Sequence, residues 1–126
     1  MASLVSLWMT RSVFEELVAE ALELLPDEFG RELNNVAVVV EDEPDAEVLS
    51  ADGLDPEEDD LFGLYQGIPL TERDSLYSAL PDRIAIYRLP ILRACRSRRQ
   101  VIREVRDTVV HELGHHLGIE EEDMPF

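Results

Sequence analysis

Two histidines four residues apart bracket a glutamate in the run His111-Glu112-Leu113-Gly114-His115. On an α-helix of 3.6 residues per turn, positions four apart share one face. Two imidazoles on that face can share a single tetrahedral Zn²⁺ at about 2.0–2.1 Å per nitrogen. Glu112 stands one step round from His111. It can therefore reach a water on the metal without being a ligand, which is how labour divides in an H-E-x-x-H hydrolytic site: the ion acidifies the water and the carboxylate takes the proton.

A catalytic zinc keeps three protein ligands and one open position. Eleven residues follow His115, so the third ligand is expected in that tail, upstream, or on a partner chain. Gly118 lies three residues past His115, where a left-handed backbone would turn the chain off the helix and back over the motif. In the H-E-x-x-H-x-x-G-x-x-H arrangement the third ligand lies three residues after the glycine. That position is Glu121, and its neighbours Glu120, Glu122 and Asp123 are oxygen donors too and stay open as alternatives. His116 is expected to pack or hydrogen-bond rather than bind metal.

The stretch Val109 to Met124 resembles the small bacterial zincin-like metallopeptidases, the minimal zincins. So do Asn35 to Pro44, Gly63 to Arg73 and Leu80 to Tyr87. The resemblance runs from about Thr10 to near the end of the chain. It implies an α+β, zincin-like (metzincin-like) minimal fold and Zn²⁺-dependent peptidase activity. The family motif is similar to the metzincin one with a carboxylate for the third histidine. Glu121 stands where the family more often has Asp, and the methionine turn of true metzincins is missing from the sequence pattern.

Certain elements must position these groups. Val101, Val105, Val109, Leu113 and Leu117 recur every four residues and define a buried stripe on a long helix that Ser97 caps, with Gln100 at capping-box spacing. His111 and His115 lie about 160° from Leu113 and Leu117, clear of that stripe. An N-terminal helix is expected from a cap at Thr10 or Ser12, carrying Val13, Phe14, Leu17, Val18, Ala21, Leu22 and Leu25, and stopping at Pro26. Asp27 to Leu33 suits one more short turn. Val36 to Val40 is β-branched and reads as a well-buried strand. Leu61 to Tyr65 and Arg83 to Tyr87 read as further strands, Thr71 to Leu80 as loop, and Leu89 to Cys95 as a short helix opened by Pro90. Helices around a small mixed sheet without regular strand–helix alternation make an α+β domain, with the N-terminal helix and the C-terminal motif helix packed on the sheet. One domain spans residues 1–126, with residues 1–9 a candidate for disorder and 41–60 an acidic loop region.

Composition narrows the function. The net charge of −17 disfavours nucleic-acid and anionic-membrane partners. No run of 18 apolar residues spans a bilayer. All eleven basic residues are arginine; seven fall between Arg88 and Arg106, whereas residues 41–60 hold eleven acidic residues and no basic one. That acidic block lacks EF-hand spacing and reads as a solvated loop. The single cysteine, Cys95, cannot form an internal disulfide, and no basic leader opens the chain, so a cytoplasmic location is expected. A peptide or protein substrate would dock by strand addition along Leu61–Tyr65 or Arg83–Tyr87, and Tyr65, Tyr77 or Tyr87 could donate to an oxyanion, although each suits packing better. A monomer is compatible with the size. Two other readings stand beside a peptidase: a metal-holding binding or regulatory module with little turnover, and an acidic interaction protein whose motif is coincidental.

Overall fold

A computed structural model describes residues 7–55, 60–67 and 81–126. Its elements run α1 (Arg11–Glu23), α2 (Asp27–Glu32), β1 (Val36–Glu41), α3 (Ala46–Ala51), β2 (Gly63–Gln66), β3 (Asp82–Tyr87), α4 (Arg88–Ala94) and α5 (Arg98–His116), with single 3₁₀ turns at Leu33–Asn35 and Glu121–Asp123. This is an α+β architecture with a small mixed sheet. The strand order is β1-β3-β2, with β1 parallel and β2 antiparallel to β3.

Capping explains the helix starts. Thr10 precedes α1 and its hydroxyl accepts from the Val13 N–H at 3.2 Å. Ser12 lies inside the helix, so of the two expected caps Thr10 is the one used. Ser97 accepts from the Gln100 N–H at 3.2 Å and opens α5. The Gln100 side chain reaches back one residue further than a capping box requires, to the Arg96 N–H.

The core lies between α1, α5 and the sheet. Phe14, Leu17, Val18 and Ala21 face Val101, Val105, Val109 and Leu113, and Ile84 and Ile86 of β3 close the layer, all buried. The four-residue stripe of α5 breaks at its end: Leu117 is 44% exposed. It is the C-terminal cap of α5, and the backbone turns away there before the next core contact.

Position in the sheet corrects the expected burial of Val36–Val40. Every residue of β1 is only half-buried, because β1 is an edge strand and β3 takes the centre. The acidic stretch also departs from a plain loop. It carries α3, whose Leu49 is buried, and Arg93 ties its flanks together through Glu43 at 2.8 Å and Asp60 at 2.9 Å. Met9 is buried at 4%, so the end of the 1–9 segment joins the core; residues 1–6 lie outside the described residues, as does the expected loop from Thr71 to Leu80. Arg88 locks this corner by donating to the Met9 main-chain oxygen at 2.7 Å and to Asp42 at 3.1 Å. Among the described residues no helix is long and apolar enough to cross a membrane.

Candidate metal centre

Burying Val101, Val105, Val109 and Leu113 against α1 and β3 rotates the opposite side of α5 outward. His111 and His115 emerge there with side chains 29% and 53% exposed. Their rings stand nearly perpendicular, with centroids 6.0 Å apart.

Gly118 ends α5 at φ 82°. Its N–H donates to the His115 carbonyl at 3.1 Å, and the Ile119 N–H donates to the Gly114 carbonyl at 2.8 Å. These two bonds are a Schellman motif, which needs the left-handed residue that glycine supplies without a Cβ clash. The turn reverses the chain, and the following 3₁₀ turn lays Glu121 beside both histidines. Oε1 of Glu121 lies 2.9 Å from His111 Nδ1, and Oε2 lies 2.9 Å from His115 Nε2. Met124 then packs against the bare face of Gly114, where a Cβ would fall on its thioether sulfur at 2.5 Å.

One donor atom from each of His111, His115 and Glu121 lies within 4.8 Å of the others. The set fits a divalent ion. A tetrahedral zinc at about 2.0–2.1 Å from each donor needs donors roughly 3.4 Å apart; the two Glu121 contacts stand at 2.9 Å and the three donors within 4.8 Å of one another, so small side-chain rotations reach that spacing. His111 has a second contact, from Nε2 to the main-chain oxygen of Phe126 at 3.0 Å. The Phe126 ring sits beneath the Arg106 guanidinium, 3.7 Å from its centroid. A neutral imidazole offers one N–H and one lone pair, so His111 can give its lone pair to a metal on one side while donating on the other.

Glu112 points elsewhere. Its Oε1 accepts from the Tyr65 main-chain N–H of β2 at 2.9 Å. Burial raises its carboxyl above the ordinary glutamate range, while the Tyr65 N–H and His115 oppose that shift. Strand and helix approach closely because residue 63 is glycine: a Cβ there would meet Thr108 Cγ2 at 2.6 Å and the Ala85 carbonyl at 2.9 Å. The Tyr65 ring stacks on His116 with centroids 3.9 Å apart and planes 13° from parallel, and its hydroxyl donates to Asp82 Oδ2 at 2.7 Å. Tyr65 was named from the sequence for its hydroxyl, and its main-chain bond to Glu112 was missed; a glycine opening a short strand was the one available signal.

The two expected docking strands now separate. β3 is paired on both sides, by β1 and by β2, so Arg83–Tyr87 cannot accept a peptide strand. Among the described residues β2 pairs only with β3. The oxyanion candidates separate too: Tyr87 is buried in the core, the Tyr65 hydroxyl is committed to Asp82, and Tyr77 lies outside the described residues. A cavity of about 290 Å³ runs along α5 beside the motif, between Leu61–Gly63 and the side chains of Glu104, Asp107 and Thr108, and ends at His111 and Glu112.

A helix that presents two histidines and a separately held glutamate beneath a sheet edge has the layout of an H-E-x-x-H metallohydrolase. Residues 33–125 match the family model described as zincin-like metallopeptidase. The chain belongs to the zincin-like metallopeptidase family. Among solved structures it is similar to a conserved hypothetical protein from Thermo thermophilus, with 30% identity and a TM-score of 0.56, over 86% of this chain and 94% of that one. None of the curated proteins matches it.

Proposed function

We propose that this protein hydrolyses peptide bonds, with Zn²⁺ held by His111, His115 and Glu121 and with Glu112 as general base. When bound, zinc supplies Lewis-acid polarisation of a carbonyl and lowers the pKa of water towards about 7. Glu112 takes a proton from the attacking water and passes it to the leaving amine, so that water is consumed and two peptide ends are produced. The Tyr65 N–H on Oε1 keeps the carboxylate out of the ligand set and leaves Oε2 for the proton. Partial burial, which raises the carboxyl, favours its holding that proton between the two transfers. Substrate adds along β2, the strand that borders α5 at the motif.

The observation carrying this reading is the separation of roles. Glu121 turns towards both imidazoles at 2.9 Å, while Glu112, next to His111 in the chain, is tied to a strand instead. The test is Glu112→Gln in zinc-loaded protein against a broad peptide library. Zinc should remain stoichiometric and cleavage should fall by about 10²–10⁴-fold. A wild type that binds zinc and cleaves nothing would sink the peptidase reading.

One contact favours a second reading, a metal-holding module with little turnover. Phe126 rests its main-chain oxygen on His111 and its ring under Arg106, so a segment of the chain itself lies across the site. The library separates this reading from the first.

A further inference from the structure

We propose that the cavity beside the motif is a specificity pocket for a long cationic side chain, arginine or lysine, next to the bond being cleaved. The proposal rests on the peptidase reading and names its substrate class.

The cavity is continuous with the reacting groups, since His111 and Glu112 form its end. A side chain lodged there belongs to a residue flanking the scissile bond. The walls are of two kinds. Leu61 and Phe62 offer an apolar side, while Glu104 and Asp107 offer carboxylates. A long cationic side chain matches both, with its methylene stem on the apolar side and its charged head on the acidic one. A small or purely apolar side chain would leave the Glu104 carboxylate facing it without a partner.

The two carboxylates differ in how their charge is met. Asp107 is answered by Arg106, with Nε and a terminal nitrogen each at 2.9 Å. Arg106 is in turn capped by the Phe126 ring. No hydrogen bond or ion pair among the described residues holds Glu104. It is partly buried and carries its charge beside Asp107, and this combination raises its carboxyl. Arg103 and Arg106 border Glu104 on its other side, in a second cavity of about 330 Å³, and neither pairs with it. Glu104, one helical turn from Thr108 and two from His111, is therefore the group that an incoming cation would satisfy. The gain is a charge-assisted pair at a partly desolvated position, which corresponds to about tenfold in affinity.

The test uses zinc-loaded Glu112→Gln protein, which holds peptide without cutting it, and a fluorescent alanine-rich peptide with one variable residue: Arg, Leu or Glu. The Arg peptide is expected to bind about tenfold more tightly than the Leu peptide, with the Glu peptide weakest and the preference shrinking with salt. Adding Glu104→Gln should collapse the Arg-to-Leu ratio towards one. Adding Glu104→Arg should turn the preference towards the Glu peptide. An Arg-to-Leu ratio unchanged by both substitutions, or a parent preference for Leu or Glu, overturns the pocket assignment. Because the readout is binding, a wild type that binds the Arg peptide yet cleaves nothing would refute the peptidase reading and leave the pocket standing.

Discussion

The main-chain N–H of Tyr65 donates to Oε1 of Glu112 at 2.9 Å across 47 residues of chain. This bond joins the sheet edge to the motif helix, and under the proposed function it would set Glu112 beside a peptide laid on β2. It depends on Gly63. Gly63→Ala places a methyl 2.6 Å from Thr108 Cγ2 and 2.9 Å from the Ala85 carbonyl, and the carbonyl cannot yield. The substitution should cost about 1–3 kcal/mol in urea denaturation, as overpacking does. At temperatures where the variant stays folded, kcat should fall further than zinc affinity does. Equal kcat would show that the strand–glutamate bond is dispensable.

His116, one helical turn after Glu112 on α5, holds the same strand through the Tyr65 ring. Its stack on Tyr65, 3.9 Å between centroids, is an interaction worth about 0.5–1.5 kcal/mol. His116→Ala should lower kcat several-fold at nearly constant zinc affinity, and His116→Phe should restore most of the loss by retaining a flat ring. A large loss of zinc in His116→Ala would instead make His116 a ligand.

Glu121 bridges both imidazoles, so its removal tests the metal directly. In the wild type, free zinc at about a hundred times its Kd should add about 2.7 kcal/mol to the unfolding free energy, and a chelator should abolish that gain. Glu121→Gln should retain little of it. A full zinc-dependent gain in Glu121→Gln would move the third ligand to Glu120, Glu122 or Asp123.

Met124 sets where Glu121 lies. Gly114→Ala inserts a methyl at the Met124 sulfur, and this flexible side chain can retreat. The helix gains about 1 kcal/mol from replacing glycine, which offsets the lost contact, so thermal stability should change little. The tail carrying Glu121 shifts, however, and zinc affinity should drop. Calorimetric titration with zinc, beside a thermal melt, separates the two effects.

Glu104 gives a pH signature. Desolvation, followed by the charge of Asp107, raises its carboxyl above the ordinary value. A raised value in the folded state means that the native protein holds the proton more tightly than the unfolded chain. Its stabilising contribution is complete below the ordinary glutamate pKa and disappears as pH rises through the raised folded value. Glu104→Gln should therefore raise the denaturation midpoint at about pH 7 relative to wild type, with the difference closing near pH 4, roughly the ordinary glutamate pKa. A charge kept at a cost in stability is expected where function requires it.

The parts of this protein legible from its residues are those governed by short spacing. The shared face of His111 and His115, the Ser97 cap, the turn at Gly118 and the stripe from Val101 to Leu113 all follow from helical period and terminal hydrogen bonding, which act over about four residues or fewer. The α+β class followed in the same way from the pattern of elements. Strand pairing is different in kind, because it joins residues tens of positions apart whose local sequences carry no record of each other. Val36–Val40 looks interior by composition yet lies at an edge, and Arg83–Tyr87 looks as available as Leu61–Tyr65 yet sits between two neighbours. Only packing in three dimensions settled those matters. It also chose Glu121 from four adjacent carboxylates to lie against the imidazoles, and it brought the Tyr65 N–H to Glu112, because the reach of a side chain depends on where a backbone turn leaves it and not on its place in the chain.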